Sequence, residues 1–308
     1  MRAFPSPLVL GSLLILAAVG LMPLLCAQTT ASVAGGPEKA DEPKSFLGAL
    51  ERAGIKLTKG PAKVKLGSVA ELQLPPGFRA VDAGSMKSFY EFTRNSMGGN
   101  EVGVIIAPEP DGWMLFFDYD DVGFVKDEDK DALDGKKLMA SMTENQEASN
   151  AARKQRGWEE MKVTGWAAEP RYDPKTNNLM WAIKLSSSSD NYQSEWINES
   201  IRLLGRGGVM KVTLVTGNDS YAANSADAQK LLSQRFGYVS GERYAEFKQG
   251  DKVAEYGLAA LVLGGAGALA YKVGFLQKFW KLLVAGAVAA VAGLGKLWNR
   301  ISGKNPRE

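Results

Sequence analysis

The 308-residue chain contains no histidine and only one cysteine, Cys26. Without histidine there is no Ser-His-Asp relay, no imidazole acid/base chemistry and almost no route to a transition-metal site. Cys26 lies at the end of an N-terminal apolar run, so cleavage after Ala27 would leave a chain without any thiol. Disulfides, thiolate nucleophiles and cysteine-bound zinc are then excluded together. An exported domain of this size without cysteine suits a bacterial envelope better than an endoplasmic reticulum route. Charge excess is also small, at +3 overall. Setting aside Arg2 in residues 1–27, and seven basic residues and Glu308 in residues 256–308, leaves 29 basic and 33 acidic residues between 28 and 255. That central part is acidic, which argues against nucleic acid as a partner.

At 45% hydrophobic and 23% charged residues, the composition is that of a globular protein. Residues 1–27 have the layout of a secretory signal peptide: one charge at Arg2, an apolar run from Leu8 to Leu25, then small residues around Ala27. The same run is long enough to serve as an uncleaved anchor. Cys26 also stands where a lipid-modified cysteine would, although Leu25 before it is larger than that motif accepts. Residues 28–44, punctuated by Gly35, Gly36, Pro37 and Pro43, read as a disordered tether, and residues 45–251 as an extracytoplasmic folded domain.

Within that domain Ser45 is placed to cap a short helix carrying Phe46, Leu47 and Leu50, ended by Gly54. Short alternating runs at Val64–Leu66, Glu71–Leu74 and Phe78–Val81, separated by Gly67 and Pro75-Pro76-Gly77, predict strands. A helix is expected over Ala83–Arg94, strands over Glu101–Ile106 and Trp113–Tyr119, and a long solvated helix over Gly135–Arg156. Two hairpins are expected: Lys162–Ala167 with Asn178–Leu185, and Trp196–Leu204 with Val209–Val215 about the Gly205-Arg206-Gly207-Gly208 turn. A helix over Ser225–Arg235 follows. The expected fold class is α+β, a mainly antiparallel sheet with packed helices, plus C-terminal apolar membrane helices. Two segments carry that last expectation, Tyr256–Leu276 and Phe279–Trp298, each long enough to cross a bilayer and flanked by lysines and by Trp280 and Trp298. Residues 252–308 would thus form an anchor of one or two helices with a basic tail, and membrane lipid would be one partner.

Candidate chemistry is sparse. The segment Asp118 to Asp134 is rich in carboxylates, and Asp127, Asp129 and Asp131 are weak calcium candidates. As an EF-hand from Asp127 it fails twice, with Ala132 in place of the turn glycine and Leu138 in place of the bidentate glutamate. The competing reading is a solvated loop whose last carboxylates, Asp131 and Asp134, favour the start of the next helix. A carboxylate pair acting on a sugar polymer, with Trp113, Trp158, Trp166 and Trp181 as stacking platforms, is an alternative for which nothing selects the pair. Trp113, Leu115, Phe117 and Tyr119 alternate as one buried strand face would. Gly265-Ala-Gly267-Ala-Leu-Ala270 matches a dinucleotide fingerprint only in letters, since no strand precedes it. No cofactor is expected. The sequons at Asn198 and Asn218 are read as chance.

The stretch Asp111-Gly-Trp-Met-Leu-Phe-Phe-Asp-Tyr-Asp-Asp-Val-Gly-Phe-Val-Lys-Asp-Glu-Asp129 resembles the signature of a bacterial family of membrane-anchored proteins, domain of unknown function 2167. Gly165-Trp-Ala-Ala-Glu-Pro-Arg-Tyr-Asp173, Asn198-Glu-Ser-Ile-Arg-Leu-Leu-Gly-Arg-Gly-Gly208 and Gly241-Glu-Arg-Tyr-Ala-Glu-Phe247 are similar in kind and order, so the resemblance runs from about Val64 to the C-terminus. It implies an anchored topology at the inner membrane with the main domain in the periplasm, and brings no catalytic residues. The expectation is an envelope protein whose domain binds or scaffolds other envelope proteins; the alternative is a carboxylate-dependent hydrolase of envelope polymers. A deep cleft with two facing carboxylates would favour the hydrolase, and a flat apolar patch the binder.

Overall fold

The computed structural model describes residues 45–108 and 112–263. The expected signal peptide and tether, most of the first C-terminal apolar segment, all of the second and the Gly265–Ala270 match lie outside these residues.

Eleven strands are described, β1 (Leu57–Lys59), β2 (Ala62–Leu66), β3 (Ala70–Leu74), β4 (Arg79–Val81), β5 (Glu101–Ile106), β6 (Met114–Asp120), β7 (Met161–Asp173), β8 (Asn178–Ser187), β9 (Glu195–Leu204), β10 (Val209–Gly217) and β11 (Phe236–Tyr238). Eight form one sheet in the order β1-β4-β5-β6-β10-β9-β8-β7, and β11-β3-β2 form a second. Every pair is antiparallel. The helices are α1 (Phe46–Arg52), α2 (Met86–Phe92), α3 (Gly135–Gln155), α4 (Tyr221–Arg235) and α5 (Leu258–Val262).

Local chemistry accounts for most of the boundaries. The Ser45 hydroxyl accepts from Gly48 N at 3.1 Å and opens α1, whose Leu50 is fully buried. The Asp134 carboxylate accepts from Lys136 N and Lys137 N and opens α3. Only Leu138 and Met142 of the apolar residues of α3 are fully buried, so polar contacts supplement packing: Asn150 exchanges hydrogen bonds of 2.7 and 2.9 Å with the Met161 backbone of β7. Strand β7 runs past the predicted Ala167 and through Pro170 to Asp173. It lies at the edge of the sheet and carries three register shifts, which is where a residue without an N–H is tolerated.

The large sheet separates two cores. On one face α1, α2, α3 and α5 cover Val104, Phe116, Leu179, Trp181 and Leu185; on the other α4 and the small sheet cover Leu115, Phe117, Ile201, Val212 and Leu214. Trp113, Leu115 and Phe117 are buried on the second face with Tyr119 packed beside them, as their alternation predicts.

The expected fold class needs correction at its C-terminal end. Among the described residues no helix is long and apolar enough to cross a membrane. The 21-residue α3 has the length but is polar, and the described start of the first apolar segment is the five-residue α5. Its Leu258, Leu261 and Val262 are 0–3% exposed in the first core, and Asp129 accepts from Leu258 N and Ala259 N at 2.9 and 3.2 Å. These residues are apolar because the domain buries them. Hydropathy alone does not separate burial in protein from burial in lipid.

The Gly205–Gly208 turn joins β9 to β10 and needs glycine at its last position. A Cβ on Gly208 would lie 2.1 Å from the Asp120 carbonyl oxygen and 2.8 Å from the Tyr119 hydroxyl. Gly208→Ala must displace backbone, and is expected to cost about 2–3 kcal/mol, in the range of overpacked interiors. Urea unfolding of the variant checks this; an unchanged midpoint would show that β6 yields without cost.

Candidate functional site

Three of the sequence stretches singled out above meet at one end of the large sheet. Arg206, in the β9–β10 turn, grips Asp251 through Nε and Nη2, both at 2.7 Å, and donates to the Gly241 carbonyl at 3.2 Å. This pairing holds the Asp251 carboxyl down at about 2. Gly123 N donates to the Gly207 carbonyl, and Phe124 lies between Tyr244 and Phe247, with ring centroids 4.4 and 4.1 Å away. The Tyr244 hydroxyl donates to the Val125 carbonyl at 2.9 Å, and the Tyr238 hydroxyl to the Leu203 carbonyl at 2.6 Å. These contacts lock the loop after β6 and the segment after β11 onto the hairpin.

A row of charges runs into the sheet from that end. The strand registers set Glu101 of β5, Asp118 of β6, Lys211 of β10 and Arg202 of β9 side by side on the face covered by α2 and α3. Asp118 and Arg202 are only 6% and 8% exposed. Lys211 pairs with Asp120 at 3.0 Å, and Asn100 donates to the same carboxylate at 2.8 Å. Burial pushes the Asp118 carboxyl up to about 7, against the pull of the Lys211 ammonium. Burial also brings the Arg202 guanidinium down to about 10, against Asp120 and Asp118, and the guanidinium sits 4.5 Å from the Trp181 ring. Tyr90 of α2 is raised by burial and by Asp118. Chemically, the row offers a carboxyl that titrates near neutrality beside a buried cation.

A family model described as protein of unknown function (DUF2167) matches residues 58–295, well over half of the chain. The chain belongs to this family. The match covers all four stretches on which the resemblance rested. No curated protein matches the DUF2167 chain. Among solved structures it is similar to cyanobacterial PsbP (CyanoP) from Synechocystis sp. PCC 6803, at 14% identity over 67% of this chain and 98% of that one, with a TM-score of 0.34. It is also similar to the Saccharomyces cerevisiae Ran-binding protein Mog1p, at 12% identity over 63% and 98%, with a TM-score of 0.31. Both likenesses are too loose to carry an argument about chemistry or partners.

The DUF2167 chain does not bring its three calcium candidates together. Asp129 is occupied in capping α5, Asp127 lies by the Tyr172 and Tyr244 hydroxyls, whose pKa values burial raises and Asp127 raises further, and Asp131 is exposed. Among the described residues no three such side chains are grouped to hold a metal. Nor do the tryptophans form a sugar platform. Trp113 and Trp181 are buried, Trp166 Nε1 donates to the Gly135 carbonyl, and Trp158 lies under Arg153 and Arg156. The sequon residue Asn198 is 3% exposed within β9 and cannot carry a glycan.

Sequence reasoning missed the Asp118–Lys211–Arg202 row. A signal was present: each interrupts a strand that is apolar on both faces, in Leu115-Phe-Phe-Asp118, Val209-Met-Lys211-Val212 and Ile201-Arg202-Leu203. Such an interruption marks a buried charge that needs partners.

A second feature lies on the opposite face. Between α4 and the turns around Pro75 and Pro108 runs a groove of about 390 Å³, lined by Pro75, Phe78, Ala107, Pro108, Trp113 and Leu231, with Asp227, Lys230, Gln234 and Arg235 also in its walls. Phe78 and Trp113 meet edge to face at 5.6 Å beneath it.

Proposed function

We propose that this DUF2167 chain is a non-enzymatic binding domain that works outside the cytoplasm, in the bacterial envelope, and takes an acidic, extended segment of a partner protein into the groove beside α4. The groove carries the reading. Its base is apolar and aromatic, and among the described residues its charged walls hold Lys230 and Arg235 against the carboxylate of Asp227. On a domain that is acidic between residues 28 and 255, two cations beside an apolar trough favour a segment of opposite charge. Among the described residues its walls bring no second carboxylate to face Asp227, as a hydrolase pair would need. Asp118 has the titration of a general acid, but it is buried, and its neighbour Asp120 is held by Lys211. The signal-like residues 1–27 support the location.

A photo-crosslinking residue placed at Gln234, and for comparison at the exposed Glu147 on α3, tests this in cells. The expected result is a discrete adduct from the Gln234 position, absent from Glu147, with the crosslinked peptide acidic and the adduct lost when Lys230→Glu and Arg235→Glu are added. An adduct of equal yield at both positions, or one indifferent to the charge reversal, would overturn the groove as the docking site.

A further inference from the structure

The helix-covered face of the large sheet holds polar atoms that nothing in the fold satisfies. Tyr90 Oη, Trp181 Nε1, Arg202 Nε and Nη1 and Asn198 Oδ1 are shielded from solvent and have no hydrogen-bond partner among the described residues. They lie on one face of the sheet or in the helix that covers it. Asn198 and Arg202 project from β9 to the face on which β8 presents Trp181, and the Arg202 guanidinium lies over the Trp181 ring. Asp118 connects the set, interacting electrostatically with Arg202 on one side and Tyr90 on the other.

Buried polar groups are as a rule paired with protein, water or ligand, and a buried guanidinium left without partners is among the most costly exceptions. The unmet groups are unequal in kind. Arg202, Trp181 and Tyr90 bring hydrogens to donate, whereas Asn198 brings one carbonyl oxygen. The occupant that completes them is rich in acceptors and negatively charged. Nearby carboxylates do not fill that role: Asp120 is committed to Lys211 and Asn100, and Asp118 makes no hydrogen bond to Arg202.

We infer that this interior face is a binding site for a small oxyanion, a carboxylate or phosphate group, with Arg202 as the charged anchor and Trp181 and Tyr90 as further donors. The site is separate from the groove beside α4, which lies across the sheet, so either can fail alone.

Calorimetric titration of the full chain with succinate and, separately, with inorganic phosphate tests the site, with ionic strength held constant by sodium chloride. Saturable binding of one of them, accompanied by a rise in Tm, is expected, and which one binds identifies the oxyanion. Arg202→Met should weaken that binding at least about tenfold, equivalent to about 1.4 kcal/mol. Because removing a buried cation can compromise folding, Trp181→Phe serves as the second variant; it keeps the ring, removes the N–H and should weaken binding while leaving the far-UV spectrum unchanged. Lys230→Glu, in the groove, should leave the affinity unaltered. No saturable heat with either anion, or equal affinity in the folded Arg202→Met or Trp181→Phe variant, would overturn the proposal and leave water as the occupant.

Discussion

Ending the chain after Asp251 is expected to abolish stable folding, whereas ending it after Leu263 should not. Residues beyond Asp251 complete the first core: Leu258, Leu261 and Val262 are buried at 0–3% exposure, and Tyr256 and Ala254 pack against them. Burying three such side chains contributes about 1.5–3 kcal/mol each, an upper estimate that still rivals the whole stability of a typical domain. The same cut removes the Phe124 N to Lys252 carbonyl bond and its companion from Ala254 N to Phe124, and leaves Asp129 without the two N–H groups it caps. The point substitution Leu258→Ala should by itself cost about 2–5 kcal/mol, the range for a large-to-small change at a fully buried site. Chemical unfolding of both truncated chains and of the substituted chain measures this. A chain ending at Asp251 that unfolds cooperatively at the midpoint of the longer one would show that α5 adds nothing to the core.

Replacing Asp118 by Asn should remove a pH dependence. In the folded chain the carboxyl is pushed up to about 7, against an ordinary value of 3.8, so between those limits the folded state holds a proton that the unfolded state has released. Stability from this group is therefore present at low pH and falls as pH rises, by up to about 1.4 kcal/mol per unit until the folded carboxyl ionises near 7. Asp118→Asn should already melt slightly higher than wild type at pH 5, and the gap should widen to several degrees by pH 8. Lys211 keeps its partner Asp120 in the variant, so the substitution strands no cation there. Glu199, raised by burial on the opposite face, leaves a residual slope of the same sign. Asp251, held low by Arg206, loses its contribution only as pH falls below the ordinary carboxylate range toward 2, outside the window tested. Parallel melting curves of the two proteins from pH 5 to 8 would mean that Asp118 is ionised throughout.

The two cases show how far the sequence reaches. Local rules acted where a few adjacent residues settle the matter: Ser45 and Asp134 open α1 and α3, Asn177 takes the left-handed conformation that the β7–β8 turn requires, and the alternation from Trp113 to Tyr119 assigns one strand to its core. The three-residue strands β1 and β11 escaped such rules, because so short a segment shows no period and exists only by pairing with β4 and β3. Sheet order is equally silent in the sequence, and it is the order β6-β10-β9 that sets Asp118, Lys211 and Arg202 in a row. Their burial, the raised carboxyl and the unmet guanidinium follow from that row. The apolar start at Leu258 was legible as hydrophobic, but whether lipid or protein receives such residues depends on what lies beside them. Here Asp129, distant in sequence, caps the helix and turns it into the core. The sequence by itself determined the local turns, caps and alternation; the long-range pairing that decides a buried charge's neighbours came only with the tertiary structure, because hydrophobicity is a property of a residue and its partner is a property of the fold.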